Sequence, residues 1–178
     1  YASSLLSVNV EGNVNNELIA AINAIEARGA TAADLGLEMA KGVFANTDST
    51  GRQRVVVFMT DGEPTYSSGF QSSVANSAIY NASLLKNAYD ASIYSVGVFS
   101  ATVSTNQNVN KFMNAVSSGY PDAVSMKNLG KGVDGQYYLT VNNTDSLTSV
   151  FKSISTESLS HTAPFDNLTI IKTLAEYV

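Results

Sequence analysis

Residues 54 to 65 read Arg-Val-Val-Val-Phe-Met-Thr-Asp-Gly-Glu-Pro-Thr. The apolar run Val55 to Met59 is continuous rather than alternating, which is the pattern of a strand covered on both faces in a parallel sheet. It stops abruptly at Thr60-Asp61-Gly62, and Gly62 and Pro64 then punctuate the chain. Asp61 therefore stands where a buried strand ends, and ligands of open α/β sheets bind outside that end. A carboxylate there suits a metal ion or a polar ligand. An Asp that only closes the following turn is the competing reading, and this segment alone leaves both open.

The flanking sequence supplies helices. Residues 4 to 10 fit a short edge strand. Leu18, Ile19, Ile22 and Ile25 recur at helical spacing, which predicts a helix over about 14–28 with Gly29 as its stop. Thr31 is a candidate N-cap for a second helix, with Asp34 three residues on. Leu35, Leu37, Met39, Val43 and Phe44 would form that helix's apolar face. Downstream the same grammar repeats. A helix is expected over about 73–89, a buried strand over Ile93 to Phe99, and a short helix over 107–117. A long loop from Ser117 to Gly135, a strand over Gln136 to Val141 and a last helix through Leu147, Val150, Phe151 and Ile154 follow. Strands alternating with helices predict an α/β fold: three layers around a mostly parallel, doubly wound sheet.

Composition narrows the classes of function. With 178 residues the chain fits one domain. A net charge of −5 argues against nucleic acid as a partner. No apolar run reaches the roughly 20 residues of a membrane span, so no membrane insertion is expected. Cysteine is absent, which removes disulfides, thiolate metal sites and cysteine nucleophiles. His161, the single histidine, lies in a polar Ser-His-Thr-Ala-Pro segment and gives no basis for a catalytic triad. Asn81, Asn142 and Asn167 open Asn-x-Ser/Thr patterns, which matter only in a eukaryotic secretory pathway.

The order helix, Gly29-Ala30-Thr31, helix, strand, Thr60-Asp61-Gly62 resembles the von Willebrand factor type A domain. Ile93-Tyr94-Ser95-Val96-Gly97-Val98 resembles the family's next strand, and Gly135-Gln136-Tyr137-Tyr138 its last. The resemblance covers residues 1–158. The stretch Phe112 to Ala123 further resembles the version found in surface adhesins and pilus-tip proteins of Gram-positive bacteria. Residues 159–178 then read as a linker or the start of a stalk domain. Lys172 there is a surface lysine or, less readily, an isopeptide partner.

The resemblance implies a divalent ion held by oxygen atoms, Mg²⁺ first, with Mn²⁺ or Ca²⁺ as alternatives. By position Thr31 takes the role of a hydroxyl ligand and Asp61 that of a carboxylate acting through water. Glu63 would line the ligand-binding face. The implied function is an extracellular adhesion module, attached to the cell wall through a parent protein, that grips a host or extracellular-matrix protein. The alternative is an intracellular assembly factor or chelatase-associated subunit. An enzyme is not expected: a phosphatase using Asp61 is the third reading, behind these two, because no general base or second carboxylate is placed beside that residue.

One departure matters. The family's first metal motif, Asp-x-Ser-x-Ser after the first strand, does not occur here. Asp90-Ala-Ser92-Ile-Tyr94 comes nearest, but it precedes a strand and ends in Tyr. Tyr1-Ala2-Ser3-Ser4 resembles the segment after the family's second strand, which implies that the first strand and its helix lie outside this chain. The edge of Val55–Met59 would then be open. Each buried unpaired backbone group costs about 1–3 kcal/mol, so several would rival a domain stability of about 5–15 kcal/mol. The expectation is that a separate N-terminal fragment, or a second copy, completes the sheet, and that this chain alone binds the ion weakly or not at all.

Overall fold

The structure, a computed structural model, describes residues 16–26, 29–47, 53–99 and 107–160. The strand expected over 4–10 and the tail bearing His161, Asn167 and Lys172 lie outside those residues. In chain order the elements are α1 (Asn16–Asn23), α2 (Ala33–Ala45), β1 (Arg54–Thr60), α3 (Ser72–Tyr89), β2 (Ala91–Val98), α4 (Gln107–Val116), β3 (Tyr138–Val141) and α5 (Thr144–Ser160). The strands form one parallel sheet in the order β1-β2-β3. Val56 pairs with Ile93, Phe58 with Ser95, and Ser95 in turn with Tyr138. The α/β, doubly wound expectation holds: helices cover both faces of a parallel sheet.

The two faces are unequal. On one, Val56, Phe58 and Ile93 meet Leu37 of α2, Ile79 and Leu85 of α3, and Phe112 and Met113 of α4. Phe58 and Phe112 meet edge to face, with centroids 6.0 Å apart at 83°. Side chains as fully buried as Ile79 and Phe112 each contribute about 1.5–3 kcal/mol. On the other face Tyr94, Val96 and Val141 pack against Val150 and Ile154 of α5, a much smaller cluster.

This inequality corrects the reading of β1 as covered on both faces. Val56 and Phe58 are buried, but Val55, Val57 and Met59 are only half-buried. They touch the rim of the smaller cluster, and α5 lies over β3 rather than β1. Among the described residues β1 has no strand on its outer side. The faces of α2 also differ from expectation. Leu35 and Met39 are exposed, and the buried stripe is Ala33, Asp34, Gly36, Leu37, Ala40 and Phe44. Small residues at 33, 36 and 40 let this helix approach α3 closely, which a count of large apolar side chains misses. Helix α1 ends at Asn23, short of Gly29. Gly29 instead takes a left-handed φ of 82° at the entry to α2, a conformation suited to glycine.

Arg54 fixes the start of β1. Its guanidinium lies 5.3 Å from the ring centroids of both Phe44 and Tyr89. It donates to the carbonyls of Phe44 (3.2 Å), Thr47 (3.1 Å) and Tyr89 (3.2 Å). These carbonyls lie at or just past the carboxyl ends of α2 and α3, where helices leave acceptors unpaired and the dipole favours a cation. One side chain thus ties two helix ends to the strand whose far end carries the candidate site.

Candidate functional site

The site is built from two loops at the carboxyl end of β1. The strand ends in a turn closed by its last side chain: Thr60 Oγ1 accepts from Gly62 N–H (3.2 Å) and lies the same distance from Gly62 O. Asp61 is exposed on this turn, Glu63 is half-buried, and Pro64 and Thr65 are buried. The segment beyond is internally bonded. Ser67 N–H donates to Thr65 Oγ1 (3.0 Å), Gln71 N–H to Pro64 O (2.9 Å) and the Gln71 amide to Ser67 Oγ (2.9 Å).

The second loop carries Thr31. Its backbone carbonyl accepts from Thr65 N–H (3.1 Å), so the loops from residues 31 and 61 meet at one end of the sheet. Thr31 is 5% exposed. It is not the N-cap of α2: Ala32 holds that place, with no side-chain cap bond. The capping reading of Thr31 is therefore corrected, because the helix starts one residue later than the Thr-x-x-Asp pattern suggested.

Asp34 is the residue that sequence reasoning missed at this site. It is 8% exposed, and its Oδ2 accepts from the Tyr66 hydroxyl at 2.7 Å. That bond, with burial and the negative charges of Asp34 and Glu38 adding, pushes the Tyr66 hydroxyl up to about 12. The other carboxylate oxygen, Oδ1, is buried without a hydrogen-bond partner among the described residues. The Asp34 carbonyl accepts from the Asn81 amide (3.1 Å), whose oxygen accepts from Lys41 (3.1 Å). Asn81 is thus buried inside a helix contact and closed to glycan attachment in the folded chain. A signal for Asp34 existed: it shares the 33-37-40-44 stripe with buried residues, and a carboxylate there needs a partner.

In kind, the oxygen donors Thr31, Asp34 and Asp61 suit a hard cation. In number they fall short of a self-standing site, and the described residues hold no group of three His, Cys, Asp or Glu side chains placed for a metal ion. The sequence profile of the von Willebrand factor type A domain matches residues 4–153. This chain belongs to that family. No curated protein and no solved structure matches it. Von Willebrand factor type A domains are generally protein-binding modules, usually non-catalytic, and often hold a divalent cation. In this von Willebrand factor type A domain the segment after β1 is joined to the Thr31 loop by the Thr65 N–H to Thr31 O bond, and Asp61 is exposed on the turn that opens that segment. No helix among the described residues is long and apolar enough to cross a membrane.

Proposed function

We propose that this von Willebrand factor type A domain is an extracellular adhesion module, carried at a cell wall by its parent protein. It would bind a host or matrix protein through a cation at the rim formed by Thr31 and Asp61, with Glu63 on the ligand-facing side. The observation that carries this reading is the Thr65 N–H to Thr31 O bond, which draws the two loops to one end of the sheet. A partner's carboxylate would complete the coordination, since Mg²⁺ is held by few protein groups and keeps its waters. The further proposal is that polypeptide outside these residues, a separate N-terminal fragment or a second copy, pairs with the outer edge of β1. The half-buried Val55, Val57 and Met59 support it.

Two measurements test these proposals. Calorimetric titration with MgCl₂, MnCl₂ and CaCl₂ should give weak binding with this chain and tighter binding with a longer one that includes the preceding sequence. Asp61→Ala should abolish both. Binding by the longer chain that is indifferent to Asp61→Ala would overturn the site. Light scattering on a gel-filtration column tests the edge: a well-folded monomer of 18.8 kDa would count against pairing.

A further inference from the structure

A cleft beside β3 is lined by none of the residues of the Thr31–Asp61 rim. Residues 117 to 137 carry neither helix nor strand, and irregular segments of that length inside a compact domain are uncommon and usually functional. This one is nevertheless held firmly. Ser118 clasps β2 twice, its N–H donating to Ile93 O (2.9 Å) and its Oγ accepting from Ile93 N–H (2.8 Å). Beneath it the ammonium of Lys86, 8% exposed, donates to the carbonyls of Ala115 (3.1 Å), Ser117 (3.1 Å) and Tyr120 (2.8 Å). Val133 N–H donates to Gly119 O (2.9 Å), which folds the far limb of the loop back on the near one.

Between this loop, the end of α4 and β3 opens a cleft of about 520 Å³, within the size range of small-molecule sites. Tyr120, Tyr137 and Tyr138 line it, and all three are half-buried. The glycines of the loop seat the rings. A Cβ on Gly132 would stand 3.2 Å from the Tyr120 ring, and one on Gly135 would stand 2.5 Å from the Tyr137 ring. Tyr137 is backed by Tyr94, with centroids 5.4 Å apart. The Tyr138 hydroxyl donates to Asn110. The remaining polar lining is hydroxyl and carboxamide, from exposed Gln136 and Thr140 among others, and none of the lining residues is charged.

We infer that this cleft is a binding site for a neutral carbohydrate. Aromatic faces take the C–H face of a sugar ring, and carboxamides, hydroxyls and glycine backbone take its hydroxyls. A lining without charge disfavours phosphate and carboxylate ligands, which call for a cation or a helix amino terminus. An added peptide strand is also disfavoured, because β3 spans only Tyr138–Val141 and offers a short ladder. The loop is ordered before the ligand arrives, so little conformational entropy is lost on binding.

Amide chemical shifts of the full chain test the inference, with D-galactose, D-glucose, N-acetyl-D-glucosamine, L-fucose and lactose each added to about 50 mM, enough to fill a site whose dissociation constant is in the millimolar range. Inorganic phosphate and an extended, uncharged hexapeptide are run alongside. The expected result is a saturable shift, for at least one sugar, confined to residues 119–120 and 132–140. Gln136→Ala and Thr140→Arg, both at exposed positions, should each weaken it by about fivefold or more, the loss of one hydrogen bond or the filling of the cleft. The inference is overturned if no sugar shifts these amides, if the shifts fall elsewhere, or if both variants bind as the parent does. It is also overturned if phosphate or the peptide occupies the cleft and the sugars do not.

Discussion

Replacing Lys86 by Met separates the two opposing effects of burying an ammonium under the α4–β3 loop. Burial pushes Lys86 down from 10.5 to about 8, with Asp122 opposing the shift. The folded value lies below the unfolded one, so between about pH 8 and 10.5 the unfolded chain binds more protons than the folded chain. Stability must then rise with pH across that window. The full effect of a shift from 10.5 to about 8 is about 3 kcal/mol, and the part realised between pH 7 and 9.5 is about 2 kcal/mol. The neutral amine still donates to two of its three carbonyls, so the pin survives deprotonation. Lys86→Met has no group to titrate and leaves the carbonyls of Ala115, Ser117 and Tyr120 without this donor. Urea unfolding of both proteins at pH 7 and 9.5 gives four free energies, and their double difference is the quantity of interest. Tyrosine ionisation, including that of Tyr66, cancels in it. The parent should gain about 2 kcal/mol relative to the variant on going to the higher pH. Parallel curves, or a relative loss for the parent, would show that the ammonium is not desolvated as described.

Three further outcomes follow from single side chains. Ser95 is 0% exposed and its hydroxyl has no partner among the described residues, so Ser95→Ala should leave the unfolding free energy unchanged or raise it by about 1 kcal/mol at most in a urea series; a loss above about 1 kcal/mol would reveal a bond to that hydroxyl. Arg54→Leu removes three charge-assisted bonds and two ring contacts and should cost about 2–4 kcal/mol in urea unfolding, with Arg54→Lys recovering only part. Asp90 caps α3 at a φ of 52°; Asp90→Gly relieves about 1–2 kcal/mol of left-handed strain against about 0.5–1 kcal/mol of added unfolded-state entropy, for a net gain of about 0.5 kcal/mol in a denaturation series.

The elements with strong periodic or continuous patterns were legible in the sequence. Ile93 to Phe99 and Val55 to Met59 differ from β2 and β1 by one or two residues at each end, because β-rich apolar runs have few other solutions. The Thr60-Asp61-Gly62 turn and the long loop after α4 were legible for the same local reason. What escaped depends on contacts between distant positions. Asp34 and Tyr66 are 32 residues apart in sequence, and Lys86 reaches carbonyls 29 to 34 residues away; nothing near either residue announces its partner. The half-burial of Val55, Val57 and Met59 was invisible too. A strand's own composition does not record which neighbouring helix extends over it.

The unequal cores have a consequence for how the molecule comes apart. Among the described residues, helix α5 buries Val150 and Ile154 against Tyr94, Val96 and Val141, with half-buried side chains such as Leu147 and Leu139 at the margin, whereas the opposite face is one larger continuous cluster through α2, α3 and α4. Local opening follows the number of buried apolar contacts that must be broken. Amides of α5 should therefore exchange with solvent through a partial unfolding that leaves β2 shut. A pull on the chain beyond residue 160 would peel this helix away before it strained the Thr31–Asp61 rim.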